Sequence, residues 1–300
     1  MKTAVALIIF NRPEVTRRTL AAIREARPPV LLVIADGPRI GRDGEAEKCA
    51  EVRALVEAGV NWPCEVETNY ADKNLGCARR VSSGLNWVFE QVEEAIILED
   101  DCLPVPTFFS FCEELLERYR DDERVAQIAG CSFLPEGEGF GESYFFSRYP
   151  HCWGWATWRR AWRHYDHGMQ AWEGKREASW KIAPARSAER RLWADCFDAT
   201  QNGEQDSWAY RWTSVIWSRG MWSANSAVNL VANLGFGGDA THTVTGRWGN
   251  LPTRDTVFPL IHPEEVAGNV EVDALIGRLV FEPSPFLLRL IAFARRIIRT

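Results

Sequence analysis

The run Ala95-Ile96-Ile97-Leu98-Glu99-Asp100-Asp101 constrains this chain more than any other segment. Four apolar residues stop abruptly at three consecutive acids. An apolar run of this length reads as a parallel strand buried on both faces. The acids then stand at the strand's carboxyl end, where open α/β sheets bind their ligands. Three crowded carboxylates repel one another unless a cation joins them. Hard oxygen ligands suit Mg²⁺ or Mn²⁺, usually shared with substrate phosphates. The segment therefore predicts a metal-dependent enzyme acting on a phosphorylated or nucleotide-linked substrate. The plainer alternative is a solvated acidic turn before Pro104.

A chain of 300 residues can form one large or two modest domains. With 46% hydrophobic and 25% charged residues it has the composition of a soluble globular protein. Its net charge of −6 argues against a general nucleic-acid binder. None of the eight cysteines forms a Cys-x-x-Cys pair, so they read as reduced, often buried thiols rather than a zinc or redox motif. The apolar run 4–10 is short and meets Asn11-Arg12-Pro13 without a small-residue cleavage site. It reads as a first core strand, not a signal peptide. No apolar stretch is long enough to span a bilayer.

The pattern predicts strands over 5–10, 30–35, 64–68, the acidic run and 125–129. It predicts helices over 13–27, with Asn11 as its cap and Pro13 in its first turn, and over 45–58, 77–92 and 107–120. This alternation implies an α/β fold with a mostly parallel central sheet and helices on both faces. Between Trp153 and Trp222 lie eleven of the fourteen tryptophans, with helical patterns over 154–165, 188–202 and 206–219. The segment 283–300 carries Arg289, Arg295, Arg296 and Arg299, no acid, and an apolar face opposite the arginines. Such a helix can lie on an anionic membrane surface, pack on its own domain or form a dimer contact.

In a parallel sheet the loops after the strands converge on one rim. Asp36 there could accept a hydrogen bond from a base imide N–H. Glu99 and Asp100 could hold ribose hydroxyls, leaving Asp101 to bind a cation that bridges two phosphates. Arg80, just beyond the Gly76 turn, could add positive charge near a diphosphate. Asn74-Leu75-Gly76 offers backbone groups for close approach. Each residue alone also suits a turn or cap; the convergence is what points to a site.

Phe10-Asn11-Arg12-Pro13, Ala35-Asp36-Gly37, Asn74-Leu75-Gly76 and the segment from Ile97 to Pro104 together resemble the GT-A glycosyltransferases, near family 2. The resemblance continues through Phe108-Phe109 and Gly154-Trp155 and covers residues 3–243. Glu99-Asp100-Asp101 is similar to the Asp-x-Asp metal motif in the Glu-Asp-Asp form of N-acetylglucosaminyltransferase I. The chain also resembles bacterial sugar transferases of surface-polysaccharide loci. The resemblance implies the nucleotide-diphospho-sugar transferase fold and a hexosyl- or N-acetylhexosaminyl-transferase activity. It implies a nucleotide-sugar-binding half (1–130), an acceptor-binding half (131–265) and the basic tail (266–300). It further implies a UDP-sugar or other NDP-sugar donor held by Asn11, Arg12, Asp36, Asn74, Gly76, Arg80, Glu99 and Asp100, and Mn²⁺ or Mg²⁺ on Asp101.

An inverting member also needs a carboxylate base at the start of a helix, and Asp206 in Gln205-Asp206-Ser207-Trp208 matches that position. An attacking hydroxyl must lose its proton, and a metal-bound diphosphate can leave without a protein acid. One base on the face opposite the leaving group then gives inversion, by analogy with inverting glycosidases. The plainer role for Asp206 is a helix N-cap. His242, after the glycine-rich segment from Gly235, could supply a metal ligand, with Asp239 a further candidate. Trp153, Trp155 and Trp208 could stack on an acceptor sugar, although most of the tryptophans must be core. The acceptor would be a glycan or glycolipid, and the enzyme cytoplasmic or peripheral on the inner face of the plasma membrane. Two rival readings are a sugar nucleotidyltransferase and a non-catalytic membrane- or glycan-binding protein with a vestigial fold. The first would need a glycine-rich loop after the first strand, where Asn-Arg-Pro-Glu stands instead.

Overall fold

In the computed structural model, which describes residues 1–135, 141–235 and 251–281, strand β1 (Ala4–Ile9) is buried along its whole length. Strands β2 (Val30–Ala35), β3 (Glu65–Tyr70) and β4 (Glu94–Glu99) join it in parallel, in the order β3-β2-β1-β4. Helices α1 (Pro13–Ala26), α2 (Glu45–Gly59) and α3 (Cys77–Gln91) make the crossovers. Successive strand residues face opposite ways, so β1 feeds two cores. Val5, Leu7 and Ile9 pack with Leu20 and Ile23 of α1 and Val52 and Val56 of α2. Ala6 and Ile8 pack with Ala78, Val81 and Leu85 of α3. Helices on both faces explain why β1, β2 and β4 are continuously apolar, whereas the edge strand β3, Glu65–Tyr70, is polar and largely open.

The sheet continues as β4-β8-β6-β9-β7, using β6 (Val125–Ala129), β7 (Tyr144–Ser147), β8 (Trp155–Trp158) and β9 (Trp222–Ser226). Strands β7 and β8 run against the other six. Helix α4 (Thr107–Arg118) covers the first core; α5 (Arg159–Trp162), α6 (Ser187–Gln201), α7 (Trp208–Arg219) and α8 (Val270–Ile276) contribute to the second. A separate two-stranded ribbon pairs β5 (Cys102–Pro104) with β10 (Val231–Asn233). No helix among the described residues is long and apolar enough to cross a membrane.

Two expectations need correction. Residues 154–165 do not form one helix: 155–158 are strand β8, and only the single turn α5 follows. Trp and Thr suit a pleated surface, and β8 lies between β4 and β6 with every residue buried, so sheet pairing overrides the helical spacing. Asn11 does not cap α1 either. The cap position belongs to Arg12, without a side-chain cap bond, while Asn11 Nδ2 donates to Glu45 Oε1 at 3.0 Å.

Helix α3 approaches β2 closely because Gly84 has no side chain. A Cβ there would lie 2.5 Å from Ile34 Cγ2. Gly84→Val should therefore destabilise the protein by about 1–3 kcal/mol through overpacking. An unchanged urea midpoint would show that α3 does not sit this close to the sheet.

Candidate functional site

The carboxyl ends of β1, β2 and β4 open on the same edge of the sheet, and three loops meet there. The acidic end of β4 is held by Arg12, from the turn between β1 and α1. Its guanidinium pairs with Asp100 and with Asp101, the latter at 3.0 Å. Asp100 is 2% exposed. One of its carboxylate oxygens also accepts from Phe10 N, and its backbone oxygen accepts from Thr19 Oγ1 at 2.8 Å. Arg12 is thus the cation that relieves the repulsion expected among the acids. Desolvation, reinforced by Asp101 and Asp100, raises the Glu99 carboxyl above its ordinary range, against the pull of Arg12 and a hydrogen bond from Trp208. Desolvation raises Asp100 as well, against the pull of Arg12.

Asp36 ends β2 with a fully engaged carboxylate. Oδ1 accepts from Gly37 N and from Leu75 N, each at 2.9 Å, and Oδ2 accepts from Asn74 Nδ2 at 3.0 Å. Burial raises its pKa, while the Leu75 and Gly37 amides oppose the rise. Asp36 and Asn74 therefore latch the β2 loop to the turn before α3. Gly37 packs against the Lys73 backbone so closely that any Cβ would overlap it at 2.5 Å. Asn11 joins Glu45 and Arg39 in a further cluster on this rim. The sequence pattern gave no signal for Glu45, whose partners come from two other segments.

Asp206 arrives from the far half of the chain. It is exposed and lies just before α7, but Ser207 is the helix cap, accepting from Tyr210 N. Asp206 Oδ1 instead accepts from Ala78 N at 3.2 Å, in the first turn of α3. Gly76 has φ +82°, and a Cβ there would lie 2.8 Å from Asp206 Oδ2. A glycine at this turn both adopts the left-handed conformation and leaves room for the carboxylate. No basic side chain among the described residues forms an ion pair with Asp206.

Arg80 is tied down at the carboxyl end of β3, within electrostatic reach of Asp36. Its guanidinium donates to the Asn69 backbone and side chain, both at 2.6 Å, and burial lowers its pKa. Arg79, one residue earlier, is exposed and makes no ion pair among the described residues, so it is the free cation of the first turn of α3. Adjacent arginines on a helix point about 100° apart, and only the packed structure distinguishes them. Trp155 and Trp208 are 1% and 3% exposed and stack on each other at 5.3 Å between centroids. They are core and present no face to a sugar. Trp153 is half-buried beside Phe133 and keeps part of its surface open.

Asp101 carries the chemistry a hard cation would need, and Mg²⁺ is commonly held by one or two carboxylates plus substrate phosphates. Gly235 crosses directly over it: a Cβ at 235 would lie 2.1 Å from Asp101 Oδ2. The β5–β10 ribbon makes this contact, with Leu234 N donating to the Asp101 backbone oxygen at 2.8 Å. Among the described residues no group of three or more His, Cys, Asp or Glu side chains could hold a metal ion by itself. His242, Asp239 and the tail 283–300 lie outside the described residues.

No protein-family model and no curated protein matches the chain. Among solved structures it is similar to UDP-glucose pyrophosphorylase complexed with UDP-glucose, at 10% identity and TM-score 0.35 over 55% of this chain and 79% of that one. It is similar to S. aureus TarS 1–349, at 11% identity and TM-score 0.34 over 53% and 47%. It is also similar to CMP:2-keto-3-deoxy-manno-octonic acid synthetase complexed with CTP, at 13% identity and TM-score 0.40 over 79% and 93%. At these TM-scores the likenesses carry no argument about activity, which rests on the side chains.

His151 packs edge-on against Phe133 at 4.7 Å between centroids, buried at 7% exposure with Nε2 unpartnered. Burial pushes its pKa down to about 3. The unfolded chain, with an ordinary histidine pKa of about 6.5, binds the proton first. The contribution of His151 to stability is therefore complete above about pH 6.5 and falls as the pH drops toward its folded value, by at most about 1.4 kcal/mol per unit. His151→Phe should flatten the pH dependence of unfolding between about pH 6 and 4; an unchanged slope would show that the imidazole is already protonated in the fold.

Proposed function

We propose that this protein is a glycosyltransferase that moves a sugar from a nucleotide diphosphate, with a UDP-sugar favoured, onto a glycan or glycolipid acceptor. The observation that carries this reading is the placement of Asp206. A lone exposed carboxylate from the second half of the chain is bound to the first turn of α3, beside the loops that bear Asp36, Asn74, Glu99 and Asp101. An acceptor hydroxyl brought to Asp206 would lose its proton as it attacks the sugar. Glu99 and the Asn74-Leu75-Gly76 turn would face the donor, and Arg79 would add positive charge near its phosphates. Asp101 would hold Mn²⁺ or Mg²⁺, which when bound absorbs charge developing on the departing diphosphate. A surface-polysaccharide pathway and a membrane-surface location fit the acceptor class in this reading.

Calorimetric titration of UDP, GDP and dTDP with and without Mn²⁺ tests it. One nucleotide should bind only with metal, and Asp101→Ala should weaken it by about tenfold or more. Asp206→Asn keeps the carbonyl that accepts from Ala78 N. It should leave nucleotide binding intact while lowering kcat by about 10²–10⁴. Pyrophosphate release from a nucleoside triphosphate and a sugar phosphate would establish a nucleotidyltransferase instead. Absence of binding in every condition would leave the rim without a donor role.

A further inference from the structure

The amino ends of β6 and β9 lie at the opposite end of the sheet from the acidic rim, and a cavity of about 240 Å³ opens there. Its charged walls are Arg124, Arg160, Arg219 and Glu123, with His164 among them. Arg160 is held rigidly. It donates through Nε to Arg120 O, through Nη1 to Val125 O at 3.0 Å and through Nη2 to Tyr119 O at 2.7 Å. It also lies over the Trp158 ring at 4.2 Å. A guanidinium has five N–H groups, so two remain after these three bonds, already oriented. Arg219 closes α7, is exposed, and has no acid partner among the described residues.

The acids nearby are partly engaged. Arg124 pairs with Asp122 at 2.6 Å, and Glu123 makes only a loose contact with the adjoining Arg163 at 3.6 Å. Asp121 is a third acid near Arg160, while the lining itself holds Arg124, Arg160 and Arg219 against the one acid Glu123. Burial, then Arg219 and Arg163, lowers the His164 pKa, against Glu123, and Arg163 Nε donates to His164 Nε2 at 3.4 Å. An anion seated among these groups would reverse that field and let the imidazole take up a proton. The volume is below the roughly 300–1,000 Å³ of cavities that enclose drug-sized ligands. It suits a phosphate or a small phosphate ester, not a nucleotide-sugar.

We propose that this cavity is an anion site that binds a phosphate group through the free N–H donors of Arg160, the guanidinium of Arg219 and the imidazole of His164. Charge-assisted contacts of this kind favour phosphate over neutral ligands. The source of the phosphate is either inorganic phosphate or a small sugar phosphate.

The test is a titration of the full chain with inorganic phosphate, followed by proton NMR of the His164 ring, which His164→Gln assigns. The expected result is a saturable shift of that resonance and a rise in its apparent pKa. Arg219→Gln should weaken the response by about tenfold while leaving the circular dichroism spectrum unchanged. A parallel titration with glucose 1-phosphate distinguishes the sources: tighter binding than phosphate identifies an ester, weaker binding the free ion. A response absent at tens of millimolar, or identical in Arg219→Gln, overturns the proposal. Asp101→Ala should bind phosphate unchanged, so this site and the donor site can fail independently.

Discussion

The guanidinium of Arg12 between Asp100 and Asp101 is the contact on which the acidic rim depends. Without it the end of β4 would place three adjacent carboxylates in a poorly solvated corner, and at least one would have to take up a proton or turn outward. Removing one partner of a buried pair typically costs about 3–5 kcal/mol, because the other charge is left uncompensated. The pair also joins two loops. Phe10 N and Thr19 Oγ1 both donate to Asp100, so the turn after β1 and the body of α1 are both tied to the end of β4. The three acids consequently differ in burial. Asp100 is buried and bonded to both Arg12 and Phe10 N, while Glu99 and Asp101 are only part-buried.

A second constraint works through α3. The amino end of a helix carries unpaired N–H groups and favours negative charge. In many α/β folds that position receives a phosphate. Here Asp206 occupies it, bonded to Ala78 N and seated against Gly76. The same turn is latched to β2 by Asp36. One short segment, 74–78, thus receives an acid from each half of the chain and fixes their separation. This arrangement gives Asp206 a defined position although its surface is exposed.

What the sequence shows depends on how local the cause is. The spans of β2 and β6 and the helices α2 and α3 follow from continuous apolar runs and periodicity, and the residues agree closely. The antiparallel insertion of β8 depends on partners at β4 and β6, so no local window over 154–165 contains it. The same limit applies to side chains. The loops that meet on the rim are predictable from strand polarity, but the choice between Arg79 and Arg80 is not. Nor is the burial of Trp155 and Trp208, because composition cannot separate a sugar platform from core. Asp206 was identifiable by resemblance and by its place before a helix, yet its partner is a different helix from the one it precedes.

Strand direction also explains the distribution of charge over the whole sheet. Parallel strands place all their carboxyl ends on one edge, so the acids after β2 and β4 share that edge with the Arg12 turn. The strand amino ends gather on the other edge with the end of α7, where Arg219 meets the cationic wall around Arg160. Helix termini favour cations at their carboxyl ends, which accounts for Arg219 there without reference to a ligand. It does not account for Arg160, whose donors are aligned by three backbone carbonyls and a tryptophan face. Holding a guanidinium in this way fixes the direction of its remaining N–H groups, and their rigidity is what gives the cavity a defined place for an anion.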